Sequence, residues 1–134
     1  MATQPVTTFV RNELLPYQDP DEAREIAGPF APNVNLAPGT IVALDSSINR
    51  LNAYSQAGTN GLNQPLGALR YGVQTDAGGN ITNQSEWGAL EDNAPYYYDG
   101  KFRTVELVGF DQNAMNVMNA SLISGTLANG VVEF

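Results

Sequence analysis

The sequence contains no cysteine and no histidine. Without cysteine, the chain has neither a disulfide framework nor a thiolate metal site, so its stability has to come from packing or from a partner. Without histidine, it lacks the commonest general base, the Ser-His and Cys-His nucleophile pairs, and imidazole metal ligands. We therefore expect a protein that is not an enzyme, with no catalytic residues, no cofactor, no metal site and no small-molecule substrate.

Positive charge and long apolar runs are also scarce. Six basic residues stand against 14 acidic ones, and the net charge of −8 argues against DNA or RNA as a partner. The aliphatic runs are too short to span a membrane, and the N-terminus lacks the basic-then-apolar pattern of a signal peptide. At 134 residues, the chain is long enough for one domain with a real core.

Residues 1–35 differ from the rest of the chain in their frequent prolines and in having no paired strand signals, and we interpret them as an N-terminal arm. The run Val6–Val10 has strand preference but no neighbouring segment to pair with. Prolines surround this run, and because proline fixes φ and removes a donor they exclude a continuous sheet or helix. Two alternatives stay open, namely a disordered tail and an arm that orders on another surface. The prolines are Pro5, Pro16, Pro20, Pro29 and Pro32.

One element within the arm is specified locally. Asp19 suits an N-cap, and Pro20 suits the first helical position. Gly28 followed by Pro29 is typical of a helix end. The sequence therefore predicts a helix over Pro20–Ala27, which is too short to be stable alone.

After the arm, strand signals separated by turns predict a small, mainly β domain over residues 36–134, with one or two short helices. Thr40–Leu44 is apolar on both alternating faces, which predicts a strand buried on both sides. Leu51–Tyr54 alternates and is expected to return beside it as a half-exposed strand. Leu66–Val73 predicts a further strand, in which Gly67 indicates a bulge or a close backbone crossing.

The second half of this domain carries one hairpin signal and one helix signal. Asp99-Gly100 between strand-prone flanks predicts a tight hairpin over Tyr96–Arg103. Asp111 is placed to cap a short helix, and Val131–Phe134 predicts a C-terminal strand. The polar segment Ile81–Asn93 predicts an excursion from the sheet. Three apolar side chains are expected to share one helix face: Met115, Met118 and Leu122.

Clustered oxygen atoms are the first group that could carry chemistry. Asp76, Asn80 and Asn83 offer calcium ligands, but their spacing matches no EF-hand loop, so a hairpin tip is the stronger interpretation. A hydrolase would need two carboxylates facing one cleft, whereas those of this chain lie in or beside turns, where Asp is favoured for backbone reasons. The carboxylates concerned are Asp45, Asp76, Glu86, Glu91, Asp92 and Asp99.

Aromatic side chains are the second group. Trp87 and the run Tyr96–Tyr98 motivate an alternative function, a carbohydrate- or receptor-binding β module of a phage fibre or adhesin. A strand, however, places Tyr97 on the face opposite Tyr96 and Tyr98, so three rings cannot form one platform. Core or interface packing is therefore the favoured interpretation.

Four short blocks, taken in order, resemble the head decoration, or capsid cement, proteins of lambda-like tailed phages. Each block alone is only a strand with a turn, but their order and spacing are more specific, and the resemblance covers about three quarters of the chain. The blocks are Ala37–Asp45, Arg50–Tyr54, Pro65–Leu69, and Tyr98–Arg103 with Glu106-Leu107.

The resemblance implies a domain of β-clip type that forms homotrimers. Such trimers sit on the outer face of the icosahedral capsid at three-fold and quasi-three-fold positions, where they cement neighbouring subunits of the major capsid protein. The location it implies is the virion surface, after synthesis in the host cytoplasm. In this family the N-terminal arm is mobile in the free protein and adds a strand to a capsid sheet. This chain departs from the pattern in its long arm and in the Ile81–Pro95 segment.

The arm residues expected to bind the capsid are the strand-prone run and the apolar residues after it. A polar substitution at Val42 or Leu44 is expected to unfold the body, whereas one at Phe9 is expected only to loosen attachment. Residues ahead of Pro38 are expected to be stabilised by the partner rather than by the domain. The predicted capsid-binding residues are Val6, Thr8, Phe9, Val10, Leu14, Leu15 and Tyr17.

Overall fold

The computed structural model describes residues 13–18, 20–83 and 92–134, and these residues form a mainly β fold, as predicted. A 3-10 turn at Pro20–Glu22, another at Thr104–Glu106 and the α-helix α1 (Gln112–Val117) accompany the strands. No helix among the described residues is long and apolar enough to cross a membrane. The strands are β1 (Arg24–Gly28), β2 (Asn35–Leu36), β3 (Ile41–Asp45), β4 (Arg50–Ala53), β5 (Pro65–Leu69), β6 (Val73–Gln74), β7 (Ala94–Asp99), β8 (Lys101–Arg103), β9 (Ser121–Gly125) and β10 (Gly130–Glu133).

The larger sheet has five antiparallel strands in the order β1-β7-β5-β3-β4. Because side chains alternate along a strand, β3 sends Ile41 and Ala43 to one face and Val42 to the other. Two apolar clusters cover these faces. Core A contains Ile41, Ala43, Tyr97, Phe102 and Val132, and core B contains Phe30, Val42, Leu51, Leu69 and Val73.

The predicted β3–β4 hairpin is confirmed, with Asp45 opposite Arg50. The predicted burial of β3 on both faces holds for Ile41 and Val42, which are 1% and 0% exposed. It is wrong for Leu44, which is 37% exposed. Leu44 lies at the end of the strand beside the hairpin loop, and it belongs to neither core among the described residues.

Gly67 is required by a close backbone approach, as its position in the sequence indicates. A Cβ atom at this position would overlap the carbonyl oxygen of Tyr97 on the neighbouring strand β7. The pairing of β3 with β5 also shifts register between Val42 and Ala43, which marks a bulge. The predicted strand over Leu66–Val73 is interrupted at residues 70–72, and β6 pairs with β2 in a separate two-stranded sheet.

The predicted hairpin at Asp99-Gly100 is wrong. Strands β7 and β8 are consecutive, yet β7 belongs to the larger sheet and β8 to a three-stranded sheet of order β8-β10-β9. Both sides of β7 are already paired, with β1 and β5, so no side is left for β8. Gly100 (φ +148°) forms a corner instead, and its backbone exchanges two hydrogen bonds with Phe134 (2.8 and 3.1 Å).

The predicted helix cap and C-terminal strand are confirmed. The Asp111 carboxylate accepts a hydrogen bond from the Ala114 amide (2.8 Å) at the start of α1, and β10 is the central strand of the smaller sheet. Leu122 does not share the helix face with Met118 as predicted. Asn119 adopts a positive φ of 54°, which ends the helix, and Leu122 lies in β9.

The predicted helix over Pro20–Ala27 is wrong beyond its first turn, because residues 24–28 form strand β1 on the open side of β7. Five backbone pairs with β7 stabilise this segment better than two isolated helical turns would. The packed structure also begins well ahead of the predicted boundary at residue 36. Leu14 lies in core A and Phe30 in core B, at 3% and 0% exposed. These residues are stabilised by the domain itself, not by a partner.

Candidate interaction surface

Residues 13–18 lie as a strap across the body and are attached at both ends. The Leu14 amide donates to the Arg70 carbonyl (2.7 Å), and the Tyr17 amide donates to the Lys101 carbonyl (2.7 Å). The Leu14 side chain packs into core A with Ile41. The strap is therefore part of the folded body.

Arg70 connects the strap and strand β1 to the end of β5. Its Nε atom lies 2.8 Å from a carboxylate oxygen of Glu13, and its Nη1 atom lies 2.8 and 3.0 Å from the two oxygens of Glu25. The guanidinium also lies over the rings of Tyr71 and Tyr97. Partial burial acts to lower the pKa of Arg70, but the hydrogen bonds that Arg70 donates to Glu25 and Glu13 outweigh it and raise the pKa. Arg70 is thus a permanent cation that holds two N-terminal segments.

The strap borders an open surface, which we call the Tyr17 groove. The Arg103 guanidinium lies over the Tyr17 ring, 5.2 Å from its centroid. One depression of about 460 Å³ on this surface lies between residues 15–18, Arg103 and Glu106. A second of about 300 Å³ shares Tyr17 and Arg103 and extends over Val105 to the ends of β9 and β10.

The Tyr17 groove has the chemistry of a protein-binding surface rather than that of a small-molecule site. Tyrosine and arginine are enriched among the residues that dominate binding energy at protein interfaces. Leu15 and Val105, at 38% and 62% exposed, provide apolar area beside them. The groove is open to solvent, whereas ligand pockets enclose most of a small molecule.

The structure sorts the predicted capsid-binding residues into three groups. Leu15 and Tyr17 lie at the Tyr17 groove, where a partner can contact them. Leu14 is buried in core A and is corrected from a candidate anchor to a core residue, because its side chain faces Ile41 and not the solvent. Four lie outside the described residues: Val6, Thr8, Phe9 and Val10.

Arg103 and Val105 are among the groove residues that were not predicted from the sequence. Alternation gives a partial signal for Arg103, since the buried Phe102 before it turns Arg103 outward. Val105 carries no such signal, because it lies in a 3-10 turn and not in a strand. Its exposure follows from the turn and not from strand alternation.

The oxygen cluster suggested for calcium is a turn. The Asp76 carboxylate accepts hydrogen bonds from the amides of Gly78 and Asn80 (both 2.9 Å) and from the Asn80 side chain (3.2 Å). The Asn80 hydrogen bonds, first from its backbone and then from its side chain, lower the pKa of Asp76. Asn83 contacts the backbone of Gly72 and Gln74 instead. The described residues contain no group of three or more acidic side chains that could hold a metal ion.

The three consecutive tyrosines face different environments, as alternation predicts. Tyr97 packs in core A, 5.2 Å from the Phe102 ring, and burial raises its pKa to about 12. Tyr96 packs against core B, while Tyr98 is 45% exposed. The three rings therefore form no shared platform. Trp87, Glu86 and Glu91 lie outside the described residues.

No family model, curated protein or solved structure matches this chain. The functional interpretation below therefore depends on the residues of the chain, on the Tyr17 groove and on the resemblance carried by the four sequence blocks.

Proposed function

We propose that this protein is a structural component of a tailed-phage virion, which decorates and stabilises the outer face of the capsid. It binds as trimers at three-fold and quasi-three-fold positions and cements neighbouring subunits of the major capsid protein. Its N-terminal residues add a strand to a capsid sheet. The partners are thus the major capsid protein and further copies of this chain.

The resemblance to decoration proteins is supported by where its four blocks lie. The first three blocks become β3, β4 and β5, and the fourth spans the corner between β7 and β8. Strands β7, β5, β3 and β4 are consecutive neighbours in the larger sheet. The first three blocks therefore lie on adjacent strands of one sheet, and the fourth leads from that sheet into the smaller one.

The observation that carries the proposal is the junction between the strap and the residues before it. The strand-prone run Val6–Val10 ends three residues before the fixed point at Glu13 and Leu14, and the exposed Leu15 and Tyr17 follow directly. Ordering a residue costs about 1–2 kcal/mol. Because the strap is already held by the body through Leu14 and Tyr17, it adds nothing to this cost on binding.

Binding at three points makes modest affinity per copy sufficient. Once one arm of a trimer is attached to a rigid shell, attachment of the other two becomes intramolecular, at an effective concentration set by the length of the arm. Cementing also requires buried area rather than reactive groups. An acidic chain with a net charge of −8 suits an external protein surface better than packaged DNA.

The test is capsid binding by a chain that lacks residues 1–12. This deletion keeps Leu14, whose burial in core A makes a longer deletion through residue 16 destabilising. With expanded capsids that have been stripped of this protein, we expect occupancy to fall at least about tenfold while the melting temperature stays close to that of the full chain. A Tyr17→Ala variant tests the groove separately.

Unchanged occupancy of the deleted chain would overturn the role of the arm. Absence of the full chain from purified virions would overturn the proposed function as a whole. A glycan array with specific hits, together with that absence, would favour the carbohydrate- or receptor-binding alternative.

A further inference from the structure

Among the described residues, strand β9 differs from the other outer strands of the five-stranded and three-stranded sheets, because it carries no charged residue and no segment covers it. All five of its residues are exposed, and Leu122 and Ile123 are 38% and 51% accessible. Unprotected strand edges invite pairing with another chain, and monomeric proteins block them with charges, prolines or covering segments. An apolar, uncharged and exposed outer strand therefore needs an explanation.

Each of the other outer strands of these sheets is protected by a charged residue or by a segment that covers its edge. Residues 29–31 cover β4, where the Leu51 amide donates to the Pro29 carbonyl (2.8 Å). The strap covers β8, through the hydrogen bond from the Tyr17 amide to Lys101. Strand β1 carries Arg24 and Glu25, the latter held by Arg70. Among the described outer strands of the five-stranded and three-stranded sheets, only β9 has neither a charge nor a covering segment.

The stretch of sequence that contains β9 is also uncharged. No Asp, Glu, Lys or Arg occurs between Asp111 and Glu133, in a chain that has 20 such residues in total. This stretch includes α1, whose Val117 is 41% exposed, and all of β9. The β9 side of the smaller sheet is therefore neutral apart from Glu133, which lies in β10 opposite Ser121.

Net charge indicates which partner such a side fits. Two copies of a chain with a net charge of −8 repel one another, and the repulsion is weakest where the facing surfaces carry no charge. A basic partner, in contrast, would gain most from the acidic surfaces. The neutral side is therefore where a second copy of this chain can approach.

The register of β9 favours contact through side chains over an extended ladder. Ser124 pairs with Val131 and Leu122 pairs with Val132, so Ile123 is the extra residue of a bulge. A bulge disturbs regular pairing and redirects the side chain it carries. Unlimited edge-to-edge stacking is thereby disfavoured, and a closed assembly with Ile123 at its contact is favoured.

We infer that β9 forms the contact between copies of this chain, with Leu122 and Ile123 buried against the neighbouring copy. This inference deepens the proposed function, since it locates the surface through which the trimers form, but it stands on the exposure and neutrality of β9. It also leaves the part of the Tyr17 groove formed by residues 15–18, Arg103 and Glu106 to the capsid.

The experiment compares the mass in solution of the full chain with those of Ile123→Glu and Ile48→Glu, by light scattering over a concentration series. Ile48 is the matched control, because it is an isoleucine of similar exposure (46%) in the β3–β4 loop. We expect the full chain and Ile48→Glu to assemble. We expect Ile123→Glu to have the mass of a 14.4 kDa monomer, an assembly constant weakened at least about tenfold and an unchanged circular dichroism spectrum.

Each outcome bears on the inference. If Ile123→Glu assembles over the same concentration range as the full chain, the inference is wrong. It is also wrong if the full chain stays monomeric at its highest soluble concentration. If a chain lacking residues 1–12 is monomeric while Ile123→Glu assembles, the arm and not β9 joins the copies. Capsid occupancy separates the two proposals: an assembly that depends on Ile123 but never binds capsids refutes the proposed function and leaves this inference intact.

Discussion

Strands β3 and β9 are both rich in aliphatic residues, yet they lie in opposite environments. In β3, Ile41 and Val42 are 1% and 0% exposed because the two cores cover both faces of the strand. In β9, every residue is exposed. The difference shows that apolar composition alone does not place a strand in a core. In β3 it stabilises the fold, and in β9 it provides a surface for contact.

The largest expected effect comes from placing a charge in each strand. Val42→Asp buries a carboxylate without a partner in core B, so we expect the free energy of unfolding to fall by at least about 4 kcal/mol, which is comparable with the whole stability of a small domain. Ile123→Asp and Leu44→Asp leave the charge in solvent and are expected to change it by less than about 1 kcal/mol.

Urea denaturation at low protein concentration is the measurement, because self-association would otherwise add to the apparent stability. Equal losses for Val42→Asp and Ile123→Asp would contradict the comparison, since they would mean that β9 is as important to the fold as β3.

A smaller effect is expected at Tyr97, on the face of the sheet that core A covers. Burial raises its pKa to about 12, against 10.0 for a free tyrosine. Above pH 10 the unfolded chain therefore loses the proton while the folded chain retains it, so stability falls as the pH rises from 10 to 12 and is unaffected by this group below pH 10. Tyr97→Phe removes that decline, and we expect its stability relative to the parent to rise by about 2 kcal/mol over this interval.

Denaturation curves collected from pH 8 to pH 12 test this expectation. The matched control is Tyr98→Phe, which removes a tyrosine hydroxyl from an exposed position of the same strand. The same decline in the parent and in Tyr97→Phe would be inconsistent with a buried, neutral Tyr97.

The smallest effect on the free energy of unfolding is expected at Arg70, which pairs with Glu13 of the strap and Glu25 of β1. All three side chains are partly exposed, so solvent screens their attraction, and we expect Arg70→Met to cost about 1 kcal/mol. The loss should be local. Hydrogen exchange at the Leu14 amide and in residues 24–28 is expected to accelerate, while exchange in β3 stays slow.

Lys101→Met is the control for this substitution, since its pair with Glu133 is longer (3.7 Å) and does not involve the strap. If hydrogen exchange accelerates equally in β3 and in the strap after Arg70→Met, the strap and the sheet unfold as one unit. In that case the buried strand β3 and the segments held by Arg70 would not differ in local stability.

Features set by a few neighbouring residues were predictable from the sequence. The β3–β4 hairpin and the Asp111 cap each depend on a local pattern with one structural solution, and Gly67 by itself indicated a bulge or a close crossing without naming its partner Tyr97. Strand β3 was predictable for a related reason, because apolar residues on both alternating faces indicate burial on both sides. The exposed end at Leu44 was not, since it depends on where the covering layers stop.

Features decided by competition between distant segments were not predictable. Asp99-Gly100 has the signal of a tight hairpin, but β1 takes the side of β7 that β8 would need. The same competition turns the predicted helix at residues 20–27 into a strand. Pro29 and Pro32 indicated a break in regular structure. They did not indicate that Phe30, which lies between them, is fully buried.

The candidate surface shows the same division. Leu15 and Tyr17 were identified because they are apolar or aromatic residues in a segment without a local partner. Leu14, next to them, has the same local signal but is held in core A. Arg103 lies 86 residues from Tyr17 in sequence, and no local pattern joins them.

The order of strands in the smaller sheet bears on how the protein folds during synthesis. Its central strand, β10, follows β8 and β9 in the sequence, so neither of these strands can pair with it until residues 130–133 have been synthesised. The larger sheet, in contrast, contains no strand after β7. Core A combines Tyr97 of β7 with Phe102 of β8 and Val132 of β10, so this face of the larger sheet is covered only when both sheets are present.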